Sequence, residues 1–203
     1  TVVFNADDPA FSRYRDGAGA AATIAYSVRP DAPAEGAQYF ADSEALQLRL
    51  LATTLSWLGC DEIGKDAGEP LIGRHNAANA LAAAAATQAC GVPLDAIARG
   101  LRSFVPAPHR LSSTGTIGGV RFVNDSKATN PHAALAGLKA VSTTANEQLV
   151  WIGGGSDKQA DFSALASELQ RRGAICVLIG ATTTALSASL TAAGVAIEQV
   201  HAC

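Results

Sequence analysis

The run Asn124-Asp125-Ser126-Lys127-Ala128-Thr129-Asn130-Pro131 collects a carboxylate that only accepts, an ammonium that only donates, and hydroxyls and amides that do both. No fold needs such a set for packing. Upstream stands Pro108-His109-Arg110, and between the two lies Gly119-Val120-Arg121-Phe122-Val123, which reads as a strand. The polar run therefore begins where a strand ends, and in open α/β sheets ligands bind in the crevice at the carboxyl ends of strands. A structural reading covers part of the same run. Thr129 or Asn130 can cap a helix whose first residue is Pro131. Capping accounts for Thr129, Asn130 and Pro131 and leaves Asp125, Lys127 and Arg110 unexplained.

The elements that must carry these residues follow from periodicity and punctuation. From Arg110 onward the pattern predicts strand (Val120 to Asn124), helix (His132 to Val141), strand (Leu149 to Gly153) and helix (Phe162 to Arg172). Strand (Ile175 to Gly180), helix (Thr183 to Ala193) and strand (Val195 to Val200) complete the series. Regular alternation with short Gly-containing connections implies a parallel sheet with helices on both faces. Before it, Thr1 to Phe4 and Thr23 to Val28 read as strands, Pro30 to Gly36 as a loop, and Ala45 to Leu58 as ambiguous. Asn76 to Ala89 is predicted helical because Ala and Leu dominate it, with Gly91-Val92-Pro93 as its stop. Asp95 to Ser103 is a second helix, and Val105-Pro106-Ala107-Pro108 reads as a linker. The chain is thus divided into residues 1–106 and 107–203.

Composition narrows the function classes. A 203-residue chain with 48% hydrophobic and 16% charged residues can bury a core as one large or two small domains. Fifteen Lys plus Arg against 18 acids, for a net charge of −3, offer no broad basic face for nucleic acid. The apolar stretch Ala80 to Ala86 is far short of the ~20 residues that span a bilayer. Cys60, Cys90, Cys176 and Cys203 have neither CxxC spacing nor a neighbouring His pattern, so they read as buried or incidental thiols of a reducing cytoplasm rather than metal ligands.

Two strings imitate phosphate loops. Gly59-Cys60-Asp61-Glu62-Ile63-Gly64-Lys65-Asp66 fits G-x-x-x-x-G-K, yet Asp66 stands where Ser or Thr should bind Mg²⁺. Its three acids would repel a triphosphate and no clear strand precedes Gly59, so it is expected to be a surface loop. Gly153-Gly154-Gly155-Ser156-Asp157-Lys158 follows a strand but lacks the third Gly of the dinucleotide fingerprint.

Taken together, Gly73-Arg74-His75-Asn76, Asn79, Pro108-His109-Arg110, Asn124 to Asn130 and Asp157-Lys158-Gln159-Ala160-Asp161-Phe162 resemble the Mur ligases, over about Val2 to Gly180. The Asn-Asp-Ser-Lys-Ala-Thr-Asn run is the most specific part and is similar to the branch that adds D-glutamate to UDP-N-acetylmuramoyl-L-alanine. The resemblance implies an α/β chain: the remnant of a P-loop-type central ATPase domain, then a Rossmann-like parallel-sheet domain. It implies an ATP-dependent ligase of peptidoglycan synthesis that forms an acyl phosphate and lets the glutamate amine attack it. Such chemistry needs fixed cations, because stabilising a transferring phosphoryl group is mostly positioning and electrostatics.

Residue by residue, the resemblance gives Arg110 the γ-phosphate, a task that suits a planar guanidinium able to hold two oxygens. Asn76 and Asn79 are given adenine; Asn76 could equally be a helix N-cap. Asp125 is given the ribose hydroxyls, and Lys127 and Thr129 face the cleft. Lys158 and Thr129 are given the glutamate side-chain carboxylate, although Lys158 could be a solvated loop lysine. His75, His109 and Asp157 are read as structural or supporting.

The resemblance also implies that the P-loop, the Mg²⁺ ligands, a catalytic His and a carbamylated Lys precede Val2. The glutamate pocket would likewise be completed beyond Cys203. The 203 residues alone are then expected not to catalyse, and the parent enzyme is expected to be a cytoplasmic monomer that binds no nucleic acid and no membrane. Two other readings stay open. One is a related ligase, folylpolyglutamate-type or L-glutamate-adding; the other is a noncatalytic nucleotide-binding module.

Overall fold

A computed structural model describes the chain except residues 30–33, 35, 43, 51–52, 68–72, 142–146, 157–159, 197–199 and 203. It divides into two compact units, Thr1–Ala107 and Pro108–Cys203. Pro30 to Pro33 and Glu35 of the expected loop lie outside the described residues.

The first unit runs β1 (Val2–Asn5), α1 (Phe11–Gly17), β2 (Thr23–Ser27), β3 (Tyr39–Ala41), β4 (Ala45–Leu50), β5 (Thr53–Gly59), α2 (Arg74–Ala89) and α3 (Leu94–Arg102). One sheet holds β1-β2-β3-β4-β5 in that order, parallel across β1 to β3 and antiparallel from β3 to β5. The ambiguous stretch Ala45 to Leu58 is thus a hairpin. Leucine suits a helix, but burial falls on Leu46 and Leu48 alternately, and Leu46 pairs with Leu58, so period two prevails.

Helix α2 buries Ala77, Ala80, Leu81, Ala84 and Ala85, which lie on one face at helical spacing. Their small side chains let the helix lie close on β1, β2 and β3. Leu81 is fully buried there, so its loss to Ala costs about 2–5 kcal/mol. At the carboxyl ends of β1 and β2, Asp7 accepts from the Ser27 hydroxyl at 2.6 Å and the Val28 N–H at 2.6 Å, and pairs with Arg29 at 3.2 Å. That crevice is closed by the chain's own hydrogen bonds.

The second unit runs β6 (Ser112–Ile117), β7 (Val120–Asn124), α4 (Pro131–Ala140), β8 (Val150–Gly154), α5 (Ser163–Arg171), β9 (Ile175–Ile179), α6 (Thr183–Ala192) and β10 (Val200–Ala202). Three corrections to the sequence reading arise. Strand β7 is present, but among the described residues it pairs antiparallel with β6 through the Gly118-Gly119 turn and is not part of the parallel sheet. The last strand begins at Val200 rather than Val195, with residues 197–199 outside the described set. Finally, α4, α5 and α6 share one core with the inner face of the sheet, through Leu138, Leu165, Leu169, Cys176, Leu178, Leu186 and Leu190.

The opposite face, bearing Val150, Ile152 and Ile179, is exposed. The strand order β10-β9-β8 gives the physical reason. Each right-handed crossover steps in the same direction, so successive helices fall on one side; covering both sides needs a reversal of strand order. The glycines after β8 serve packing here. A Cβ on Gly154 would lie 1.9 Å from the Ile179 carbonyl oxygen, and Gly155 N–H donates to that same oxygen at 3.1 Å.

Candidate functional site

The loop after β7 and the turn before β6 are fastened together by short polar links. Lys127 N–H donates to the His109 carbonyl at 3.1 Å, and the Asn124 side-chain nitrogen meets His109 Nδ1 at 3.1 Å. Leu111 N–H donates to Asp125 Oδ1 at 3.1 Å. His109 (φ 66°) and Leu111 (φ 48°) are the non-glycine residues with positive φ among those described. The left-handed region costs an L-residue about 1–2 kcal/mol, so the turn that carries Arg110 is held in shape by these links. Within the loop, Ser126 N–H donates to Asn124 Oδ1 at 3.0 Å, Ala128 N–H to the Asp125 carbonyl at 2.8 Å and Thr129 N–H to the Lys127 carbonyl at 2.9 Å.

The helix cap resolves in favour of Asn130. Its Oδ1 accepts from Ala133 N–H at 2.8 Å and Pro131 is the first residue of α4. Thr129 is released from that duty and is exposed. Arg110 and Lys127 are also exposed, and neither forms an ion pair among the described residues. The loop's backbone and its short polar side chains do the holding, while two cations and a hydroxyl point to solvent. Such a group is suited to an anionic ligand.

Asp125 is half-buried, with Oδ1 on the Leu111 amide and its carboxylate over Gly137 of α4. The structure therefore brings Arg110, Asp125, Lys127 and Thr129 into two fastened segments. Lys158 and Asp157 lie outside the described residues.

In the first unit, Gly73 (φ 96°) is the N-cap of α2, and Asn76 N–H donates to its carbonyl at 3.0 Å. Asn76 is therefore inside the helix, which removes the capping alternative. It is 6% exposed, whereas Asn79 is exposed, so the pair divides between the buried edge and the open side of α2. Of the two amides, Asn79 faces solvent.

The P-loop-like string is corrected in one respect. A strand does precede Gly59, namely β5, but it leads into short 3-10 turns at Cys60–Glu62 and Lys65–Ala67, not into a phosphate loop and long helix. Glu62 accepts from Gly59 N–H at 2.9 Å and pairs with Arg102 of α3 at 3.0 Å. The hydrogen bond from Arg102, with that from Gly59 N–H, holds the Glu62 carboxyl below its ordinary value. Among the described residues no group of His, Cys, Asp and Glu has metal-holding geometry. An open groove along α6, lined by Thr183, Thr184, Ser187, Thr191 and Ala202, shares no residue with the fastened segments. Its Thr183 and Thr191 hydroxyls already donate to carbonyls of their own chain.

Sequence reasoning missed Leu111 and Gly137 as contributors. A leucine carries no signal for a positive φ, and a mid-helix glycine opposite a carboxylate becomes meaningful only once β7 and α4 are placed.

The family described as "Mur ligase, glutamate ligase domain" matches residues 109–203, which begin at His109 and span the second unit. The second unit is a Mur ligase domain. Among curated relatives, the UDP-N-acetylmuramoylalanine–D-glutamate ligase of Pasteurella multocida is 40% identical over 146 residues, covering 72% of this chain and 32% of the relative. That of Parasynechococcus marenigrum is 36% identical over 202 residues, covering 95% of this chain and 38% of the relative, and so extends across both units. The chain spans about a third of the length of these relatives.

Among solved structures, MurF from Acinetobacter baumannii superposes with TM-score 0.66 at 21% identity, covering 98% of this chain and 41% of that one. Folylpolyglutamate synthase of Mycobacterium tuberculosis, solved with ADP, gives TM-score 0.59 at 19% identity, covering 91% and 46%. At such identities the structures show the fold: mixed α/β with a Rossmann-like C-terminal Mur ligase domain.

Proposed function

We propose that this chain is part of an ATP-dependent ligase that adds D-glutamate to UDP-N-acetylmuramoyl-L-alanine through an acyl phosphate. The observation that carries the reading is the fastening of the Arg110 turn to the Asn124–Asn130 loop, which leaves Arg110, Lys127 and Thr129 exposed together. Support comes also from the names of the relatives that match at 36% and 40% identity. ADP in the folylpolyglutamate synthase structure supports a nucleotide as the co-substrate.

In this reading Arg110 binds the phosphoryl group in transfer. Its planar guanidinium can reach two oxygens at once. Asp125 accepts from the ribose hydroxyls, and Asn79 reads the adenine edge from the open side of α2, with Asn76 on the buried edge of the helix behind it. Lys127 neutralises charge that develops on phosphoryl and carboxyl oxygens, while Thr129 and Lys158 bind the glutamate side-chain carboxylate. ATP supplies the phosphoryl group that activates the alanyl carboxylate, and Mg²⁺ accompanies it.

The test is an amide-forming assay on the full-length protein with UDP-N-acetylmuramoyl-L-alanine, ATP and Mg²⁺, following ADP release with D-glutamate and with L-glutamate separately. Turnover with D-glutamate alone is the expected result. Turnover only with L-glutamate would keep the chemistry and change the product, and no turnover with either by a folded protein would overturn the reading.

A further inference from the structure

Asp125 does more in this structure than present a carboxylate to solvent. Its Oδ1 accepts from Leu111 N–H at 3.1 Å, and its Oδ2 lies where a Cβ on Gly137 would stand, 2.3 Å away. Gly137 is buried in the middle of α4, where glycine is a poor helix former and no positive φ requires it. The helix gives up propensity at a position that faces this carboxylate. Leu111 meanwhile holds a left-handed backbone (φ 48°) that a leucine does not choose, one residue beyond Arg110. A conformation of this kind persists only where its surroundings over-determine it.

We propose that Asp125 is a positioning residue: seated in the notch left by Gly137, it clamps the Leu111 amide and so fixes the strained turn that aims Arg110. The clamp rests on the functional reading above only for its catalytic consequence; the contact itself does not. His109 closes the turn on its other side, through its carbonyl to Lys127 N–H and its ring to Asn124. The residues on either side of Arg110 in the chain are thus both fastened, Leu111 by Asp125 and His109 by Lys127 and Asn124, and Gly137 acts through Asp125.

The sharpest variant is Gly137→Ala, because a merely structural role and the clamp predict different turnover and different Leu111 amide exchange. An alanine raises helix propensity, so a structural glycine would give a more stable protein with unchanged turnover. The clamp predicts a folded protein whose Tm does not fall, whose Leu111 amide exchanges faster, and whose kcat for ADP release in the full-length ligase drops about tenfold. Misplacement of a reacting group by about 1 Å can cost on the order of 10²-fold, and a displaced flexible carboxylate sits below that. Asp125→Ala is expected to lose about 10²-fold in the native background, and at least tenfold less than that when Arg110 is already alanine, because the clamp acts through Arg110.

Equal losses in the two backgrounds would overturn the clamp, as would unchanged turnover in Gly137→Ala. If the unaltered protein shows no turnover, the functional reading falls and amide exchange decides the clamp alone. Faster Leu111 exchange in Asp125→Ala and Gly137→Ala upholds it, and unchanged exchange overturns it.

Discussion

Two loops of this chain look alike in composition and have opposite fates. Gly59–Asp66 and Asn124–Asn130 each leave the end of a strand and each mix acidic side chains (three in the first, Asp125 in the second) with a lysine and small residues. In the first, the charges hold the fold: Glu62 clamps the Gly59 amide and the Arg102 guanidinium, which ties the end of β5 to α3. In the second, amides and short side chains do that work. Asn124 and Asn130 cap turns, and the Lys127 backbone anchors His109. The long cations are left over. A polar motif becomes a chemical site when charge remains after the fold has satisfied itself, and spacing alone does not reveal which loop does so.

The largest effect that would sharpen the contrast is at Lys127. In the full-length protein Lys127→Ala should lower kcat for ADP release by about 10²–10³-fold, the usual loss when one stabiliser of developing charge is removed, with Tm unchanged. An unchanged kcat would make Lys127 a solvated loop lysine. Next in size is the cap. Asn130→Ala removes the acceptor for Ala133 N–H and should destabilise the folded protein by about 1 kcal/mol in denaturant titration. No loss would mean that the loop does not depend on that hydrogen bond.

Smaller still is a pH effect in the first loop. The folded-state pKa of Glu62 is depressed from the ordinary 4.5, first by the Arg102 hydrogen bond and then by that of the Gly59 amide. Its contribution is therefore full above the unfolded value and is lost as pH falls through the folded one. Glu62→Gln should flatten the acid side of the Tm-versus-pH curve, and an identical acid limb in both proteins would remove Glu62 from the account. Smallest of all is Lys65→Ala, which should leave turnover and Tm unaltered. A large loss of turnover would restore the phosphate-loop reading of Gly59–Asp66.

Much of this was legible beforehand because it depends on local chemistry. The Ala-rich α2, the Asn130-Pro131 start of α4 and the alternation from β8 to α6 announce themselves through propensity, capping and period. The hairpin β4–β5 was not, since leucines fit either period until a partner strand is present. Neither was the pairing of β7 with β6, because a strand's partner is a tertiary fact. In the site, Arg110, Asp125, Lys127 and Thr129 stood out by type. What holds them did not: the positive φ of Leu111 and the vacancy above Gly137 exist only after the turn and the helix meet.

The division of labour between the two loops is tested most directly by paired arginine variants of the full-length protein, Arg110→Ala and Arg102→Ala, each measured for D-glutamate-dependent ADP release and for Tm. The two variants should cross. Arg110→Ala should lose about 10³-fold in kcat, the low end for an arginine that stabilises phosphoryl transfer, at unchanged Tm, while Arg102→Ala should lower Tm by a few degrees with kcat intact. Loss of turnover in Arg102→Ala at full stability, or an active Arg110→Ala, would contradict it.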